Sequence, residues 1–354
     1  MSSKFDKVMN EIKRAQKLQA VARYYQLNSI LGNTWAMFYI IVGGRKTGKS
    51  YSVTDFLCRQ KMKHGDQCKN YWMRISETST KAMLSNKADK LVDPDLKRKY
   101  KLNLTTKGMM VYNNSEEFMT VAPLSQFGKL KGVGFYDKDY TGWYNIVLDE
   151  FQLEQGEKRT SFDILYNFIG MCENLVRTTK SKVRVFLLGN TLEEASTILR
   201  AFNFLPEKFG RFYLKSKRAV VDNIEPTEEY LADRRGSIAD ILGGDDMSNY
   251  TNEIQKDREL LFKGQLYKPS YIIKFSKSTS DWYTVWDSRV ITRWNHEKLP
   301  MAQCIAMRPY LDNYFDKLKR QNVIDIYDVR GYKFKNLIVQ SYFTGSMQML
   351  RKDR

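Results

Sequence analysis

One stretch constrains the fold more than any other: a short apolar run that breaks into glycines and then resumes with helical spacing. The run from Phe38 to Val42 is β-branched and aromatic, which is typical of a buried strand. From Tyr51 onward, apolar residues recur at a helical period. The segment between them matches G-x-x-x-x-G-K-[ST] without a mismatch, and its residues are Gly43, Gly44, Arg45, Lys46, Thr47, Gly48, Lys49 and Ser50. The order of strand, loop and helix predicts a phosphate-binding loop, the P-loop.

The chemistry of such a loop explains its spacing. Glycines allow the backbone to turn so that its N–H groups surround an anion at the start of a helix. Lys49 is expected to reach the β- and γ-phosphates of ATP, and the Ser50 hydroxyl is expected to bind Mg²⁺. The eight residues together therefore predict a binding site for ATP with its magnesium ion.

Two further apolar runs end in polar residues that suit the same site. The run from Asn145 to Phe151 carries Asp149, expected to hold Mg²⁺, and Glu150, expected to polarise the attacking water. The run from Val183 to Leu188 is followed by Asn190, which would hydrogen-bond the γ-phosphate or that water. An asparagine in an ordinary turn after a strand is the alternative for Asn190.

The charge of the chain points to a polyanionic partner. Its 354 residues include 58 Lys and Arg against 40 Asp and Glu, a formal net charge of +18, which favours nucleic acid. The glycine-rich stretch 123–143 holds Lys129 and Lys131 and predicts a DNA-gripping loop, with an ordinary surface loop as the alternative. Arg74, at the end of the short strand 70–75, is expected to face the ligand crevice and to sense phosphate or DNA, unless it is simply solvated.

Several classes of protein are disfavoured. The four cysteines show no C-x-x-C spacing and there are only two histidines, which argues against a zinc site and against a hydrolase with a catalytic histidine. No apolar run is long enough to span a bilayer, and the chain starts with polar and charged residues. We therefore expect a soluble, intracellular protein that does not contact a membrane.

The length suits more than one domain. We predict an ATPase domain over residues 1–218, a small helical linker over the polar, acid-rich residues 219–262, and a β-rich domain over residues 263–354. Within the first domain, residues 3–31 have the spacing of a basic amphipathic helix.

The order of the blocks VGGRKTGKS, YWMRIS, IVLDEF and LLGNT, within roughly residues 38 to 200, resembles the phi-29-like DNA-packaging ATPases of small tailed phages. These belong to the additional-strand class of P-loop ATPases. The resemblance implies an α/β fold with a parallel-sheet, RecA-like ATPase domain and a smaller, α+β, RNase-H-like C-terminal domain.

The resemblance also implies a function. Proteins of this kind use ATP to move double-stranded DNA into a viral capsid, as a homo-oligomeric, pentameric ring on the capsid portal in the host cytoplasm, and a packaging RNA is a further possible partner. Lys49, Asp149 and Glu150 match the family's catalytic positions. Arg177 falls where the family carries the arginine that acts on the neighbouring subunit's nucleotide; the alternatives are Lys180, Arg184 and Arg200.

Other functions stay open from the residues alone. Two-metal DNA cleavage needs converging carboxylates, but the strand 271–276 has none, and Asp281 and Asp287 lie at or beyond strand ends. We therefore predict a C-terminal domain that binds DNA without cutting it. The alternatives are a nuclease-competent terminase and a non-hydrolysing, nucleotide-dependent clamp or assembly factor. A helicase is disfavoured because no further helicase motif follows the predicted strand that ends before Asn190.

Overall fold

The structure is a computed structural model of the chain. It describes residues 24–130, 140–152, 163–176, 182–190, 197–206, 208–237, 241, 260–275, 281–286, 289–295 and 317–352. The chain divides into two compact units, one formed by residues 1–198 and 208–253 and the other by residues 199–207 and 254–354. In the described part of the chain, no helix is long and apolar enough to cross a membrane.

The first unit contains a nine-stranded sheet with the order β3-β4-β5-β2-β6-β7-β1-β9-β8. Six neighbouring strands, from β5 to β9 in this order, are parallel, whereas β3, β4 and β8 run antiparallel to their neighbours. The sheet is therefore mixed, with the predicted parallel part at its centre. The strands are β1 Phe38–Val42, β2 Cys68–Arg74, β3 Leu104–Lys107, β4 Met110–Asn113, β5 Glu116–Pro123, β6 Trp143–Asp149, β7 Lys182–Gly189, β8 Gly210–Leu214 and β9 Ala219–Asn223.

Helices connect these strands. The helices described up to residue 232 are α1 Asn28–Leu31, α2 Lys49–His64, α3 Glu77–Ala88, α4 Pro94–Tyr100, α5 Phe127–Leu130, α6 Ile164–Leu175, α7 Thr197–Ala201 and α8 Glu228–Ala232. Helix α2 packs its apolar face on the sheet, where Phe56 meets the ring of Phe186 with the centroids 5.5 Å apart. Because α2 begins at the P-loop, this packing fixes the loop at the carboxyl end of β1.

Two parts of the first unit differ from the sequence prediction. The predicted helix 3–31 does not extend through its described end, since residues 24–27 are not helical and only the short helix α1 comes after them. Strand β9 lies beyond the predicted boundary at residue 218, in the stretch expected to be a helical linker, and pairs in parallel with β1. Its five residues are all buried, which makes it part of the central sheet.

The second unit has a separate four-stranded sheet with the order β10-β11-β12-β13. The β-rich prediction for this part of the chain is confirmed by the antiparallel strands β10 Pro269–Lys274, β11 Trp282–Trp286 and β12 Val290–Arg293. Strand β13, Lys333–Phe334, pairs in parallel with β12, and two helices are described in this unit, α9, Lys317–Asp328, and α10, Leu337–Lys352. Phe343 of α10 is fully buried among aromatic rings of this sheet. The RNase-H-like assignment stays a prediction.

Candidate functional site

The P-loop joins the carboxyl end of β1, an inner strand of the sheet, to the first residue of α2. Two of its residues have left-handed backbone angles, Lys46 with φ +62° and Gly48 with φ +85°, which turn the chain sharply before the helix. At Gly43, a Cβ atom would lie 2.9 Å from the Cβ of Ile224, so a larger residue would not fit there. The local geometry thus favours glycine at positions 43 and 48.

Lys49 lies buried inside the loop. Its Nζ donates hydrogen bonds of 2.7 Å to the carbonyl oxygens of Gly43 and Gly44. Burial lowers the pKa of Lys49 to about 8, although the carboxylates of Asp149 and Glu150 oppose the shift. A cation held by neutral carbonyl groups in a buried loop would be stabilised by a bound anion such as a phosphate.

The acidic strand meets the P-loop as the sequence predicts. Asp149, the last residue of β6, is only 2% exposed, and its Oδ1 accepts a hydrogen bond of 3.2 Å from the Ser50 hydroxyl. Mg²⁺ prefers oxygen ligands and often binds through one or two carboxylates. The hydroxyl and the carboxylate fit that ion in chemistry and in position, so the residues predicted to bind magnesium lie together.

Glu150 comes directly after Asp149 and turns away from the sheet. Its backbone is left-handed, with φ +54°, an uncommon conformation for a residue with a side chain and one that is often found at functional sites. Its side chain is 45% exposed, so water can reach the carboxylate. The backbone N–H of Phe151 then returns to the sheet by donating to the Leu188 carbonyl at 3.2 Å.

Arg74 joins the two carboxylates. It ends β2, which lies beside β6, and its Nε and Nη2 donate to the same oxygen of Asp149, Oδ2, at 3.1 and 2.7 Å. Its Nη1 contacts Oε2 of Glu150. The structure therefore places Arg74 at the carboxyl end of its strand, paired with both candidate catalytic acids; its role in sensing phosphate or DNA stays a prediction.

The other predicted site residues divide into two groups. Asn190 is half-buried and lies next to Gly189, whose carbonyl accepts a hydrogen bond of 3.3 Å from the N–H of Gly43, so it is beside the start of the P-loop. Arg177, Lys131 and the side chain of Lys129 lie outside the described residues, as does Lys180. The roles predicted for all these residues stay predictions.

The two alternatives to Arg177 that the structure describes have local partners. Arg184 lies near the amino-terminal end of β7, the end of the strand away from the P-loop, and its guanidinium is 3.4 Å from the ring centroid of Trp143. Arg200 belongs to the second unit and stacks 4.9 Å from the ring centroid of Tyr342.

Two tyrosines that hold the P-loop were not predicted. The N–H of Tyr25 donates to the Thr47 carbonyl at 2.8 Å, and the hydroxyl of Tyr230 donates to the Arg45 carbonyl at 2.5 Å. Both tyrosines are buried. Hydrogen bonds to backbone carbonyls carry no sequence signature, because the acceptor is present in every residue.

Solved structures share this fold. The bacteriophage Phi-29 viral genome packaging motor assembly aligns with a TM-score of 0.62 and 18% identity, over 94% of this chain and 100% of that chain. The Phi-28 gp11 DNA packaging motor aligns with a TM-score of 0.60 and 15% identity, over 92% and 97% of the two chains. No curated protein matches the sequence. At these identities, the likeness to the solved structures concerns the fold.

A match to a family model identifies the family. The model of the podovirus DNA encapsidation protein (Gp16) matches residues 20–290, which is most of the chain. The protein therefore belongs to the podovirus DNA encapsidation protein family.

Proposed function

We propose that this protein is the ATPase of a phage DNA-packaging motor, which hydrolyses ATP with Mg²⁺ and uses the energy to move double-stranded DNA into a capsid. The observation that supports this most directly is the convergence of Lys49, Ser50, Asp149 and Glu150 at one end of the parallel strands. Family membership and the fold shared with two packaging motors support DNA as the polymer that is moved.

Each side chain of the site has a distinct task in this proposal. Lys49 and the backbone N–H groups of the P-loop bind the phosphates, with Asn190 beside them. Ser50 and Asp149 would hold Mg²⁺, which would neutralise charge on the β- and γ-phosphates. Glu150 accepts a proton from the attacking water, and removal of a general base of this kind typically slows a reaction by about 10²–10⁴-fold.

Arg74 limits when Glu150 can act. The guanidinium of Arg74 occupies an oxygen of the Glu150 carboxylate, the group that has to accept the proton of the attacking water. Glu150 therefore activates water only after Arg74 has moved away from it. In the state that hydrolyses ATP, the contact between Arg74 and Glu150 is therefore broken.

The arrangement as a ring is proposed from the resemblance. A cation supplied by a neighbouring copy, with Arg177 as the first candidate, would stabilise charge on the transferring phosphoryl group. The ring would sit on the capsid portal, and the basic residues Lys129 and Lys131 would contact the DNA backbone. A packaging RNA is a further proposed partner, and the host cytoplasm is the proposed location.

The decisive experiment measures ATP hydrolysis with and without long double-stranded DNA. We expect DNA to stimulate phosphate release, and Lys49→Ala to abolish it because the phosphates lose their buried cation. Lys63→Ala is the matched control, since it removes an exposed lysine from the same helix. Hydrolysis that does not respond to DNA would refute translocation, while nucleotide binding without turnover in DNA-bound oligomers would favour a clamp or assembly factor.

The Arg74–Glu150 contact is the observation that favours the clamp as a second candidate, because it holds the proposed base inactive. The nuclease-competent alternative is tested separately by incubating plasmid DNA with the protein and Mg²⁺ or Mn²⁺. Cleavage that is lost in Asp281→Asn would overturn the proposal of a non-cutting C-terminal domain.

A further inference from the structure

A second group of cations lies in the first unit at the amino-terminal edge of β6 and β7. Trp143 begins β6 and is paired in register with Lys182, and Arg184 lies two residues later on the same face of β7. The guanidinium carbon of Arg184 lies 3.4 Å from the ring centroid of Trp143, and Nζ of Lys182 lies 5.3 Å from it. We call these three residues the indole platform.

The indole platform is distant from the candidate active site. Strand β6 has seven residues and ends at Asp149, so its two ends are about 20 Å apart. Two residues of helix α2 contact Arg184. The Phe56 ring centroid is 5.3 Å from the guanidinium, and the amide oxygen of Gln60 accepts a hydrogen bond of 3.4 Å from it. None of these contacts is used by the proposed hydrolysis.

The charge of the platform is not balanced locally. In the described part of the chain, Arg184 forms no ion pair with a carboxylate, and its hydrogen bond to Gln60 uses one of five N–H donors. Burial lowers the pKa of Arg184, with the nearby Tyr39 and Cys68 side chains opposing, and no carboxylate contributes to this shift. The chain thus holds one half-buried guanidinium and one exposed ammonium against the same indole.

The planar guanidinium is pre-organised for an anion. It lies over the Trp143 ring, and its hydrogen bond to Gln60 uses one N–H, so its other donors suit the paired oxygens of a phosphate. Lys182 adds a second positive charge over the same ring. The predicted DNA-gripping stretch 123–143 also enters the sheet at Trp143, so the platform adjoins the part of the chain already expected to contact nucleic acid.

We propose that the indole platform is a binding site for a backbone phosphate of nucleic acid. The choice of nucleic acid as the polyanion rests on the proposed function, whereas the site itself rests on the geometry of Trp143, Lys182 and Arg184. A duplex of DNA and a duplex of RNA offer the same phosphate chemistry, and both are used as probes.

The test is the salt dependence of binding, measured by fluorescence polarisation with labelled DNA and RNA duplexes between about 50 and 200 mM salt. Each phosphate contact contributes about 0.9 to the slope of log K against log salt for duplex DNA. We expect Lys182→Gln to lower the slope, and Lys182→Gln with Arg184→Gln to lower it by about 0.9, the contribution of one phosphate. Lys217→Gln, which removes an exposed lysine elsewhere in the same unit, should leave the slope unchanged.

The outcomes separate this proposal from the proposed function. If the unaltered protein binds neither duplex, the proposed packaging function fails as well. If it binds but both variants keep its slope, only the phosphate site is overturned. Because Lys182 is exposed, Lys182→Gln keeps the test valid even if the loss of half-buried Arg184 prevents folding. A decrease seen with one duplex alone would support the site and identify its natural ligand.

Discussion

In the described part of the first unit, two arginine–aspartate pairs with a buried aspartate look alike and differ in their other partners. Arg211 on β8 binds both oxygens of Asp222 on β9, at 3.2 and 2.7 Å, and donates two further N–H groups to Ser29. Arg74 binds one oxygen of Asp149 and shares its guanidinium with Glu150, which is 45% exposed. We call the Arg211–Asp222 pair the closed pair. We call the Arg74–Asp149 pair the open pair, because its groups can exchange partners.

We expect this difference to separate a structural ion pair from a reactive one. In the closed pair, the Tyr25 hydroxyl also donates to Asp222 at 2.8 Å, so each charge has several partners from three segments of the chain. In the open pair, the other oxygen of Asp149 accepts a 3.2 Å bond from the Ser50 hydroxyl, which a metal ion could replace. We therefore expect changes at the open pair to alter chemistry, and changes at the closed pair to alter stability.

The largest expected effect is at the open pair, in Glu150→Gln. We expect ATP hydrolysis to fall by about 10²–10⁴-fold, because the amide cannot accept the proton of the attacking water. Phosphate release under single-turnover conditions measures this loss, and a fluorescent nucleotide measures retained binding. Glu229→Gln, an exposed glutamate on α8, is the control. Equal turnover in both variants would exclude Glu150 as the base.

The closed pair should respond in stability. Arg211→Ala leaves the buried Asp222 without its cation, and breaking a buried ion pair in this way typically costs about 3–5 kcal/mol. Chemical denaturation, monitored by circular dichroism, gives the free energy of unfolding. Arg218→Ala, an exposed arginine before β9, should change it by less than about 0.5 kcal/mol. A loss at Arg211 as small as that of the control would show that the network is not structural.

Magnesium should distinguish the pairs further. We expect Arg74→Ala to lower the free energy of unfolding by about 2–3 kcal/mol, since Asp149 then keeps a buried charge with few partners. Millimolar Mg²⁺ should restore most of this loss in Arg74→Ala, because the ion can replace the guanidinium at Asp149. It should restore none of the loss in Arg211→Ala. Thermal melting with and without Mg²⁺ makes the comparison, and equal recovery in both variants would contradict it.

The sequence could predict the open site because its chemistry is local. The eight P-loop residues are consecutive, and Asp149 and Glu150 end an apolar strand, so the pattern of each segment indicates its role. The position of Arg74 at the carboxyl end of its strand agrees with the same rule that parallel strands place their carboxyl ends together. The ion pairs of Arg74 with both acids could not be predicted, because they depend on β2 and β6 being neighbours in the sheet. The periodicity of the sequence does not show which strands are neighbours.

The closed network could not be predicted for a related reason. Tyr25 and Asp222 are 197 positions apart, and both lie in stretches whose patterns suggested other structures. Residues 3–31 have helical spacing, but Tyr25 is held in a non-helical segment by its bonds to Thr47 and Asp222. Strand β9 is only five residues long and precedes a longer acid-rich stretch, whose polar composition dominates the pattern of the whole segment.

The smallest expected effect concerns the edge of the closed network, in Tyr25→Phe. Burial raises the pKa of Tyr25 well above its usual value, and the charge of Asp222 adds to the shift while Arg211 opposes it. At neutral pH, loss of the hydroxyl bond to a charged acceptor should cost about 1.5 kcal/mol.

The folded protein keeps the Tyr25 proton where the unfolded chain releases it, near pH 10, so this phenol makes stability fall as pH rises above that value. Unfolding measured between about pH 8 and pH 11 should therefore show a shallower alkaline decline in Tyr25→Phe than in the unaltered protein. Parallel curves for Tyr25→Phe and the unaltered protein would mean that the hydroxyl titrates as freely when folded as when unfolded, and the pair would then be as open as that of Arg74.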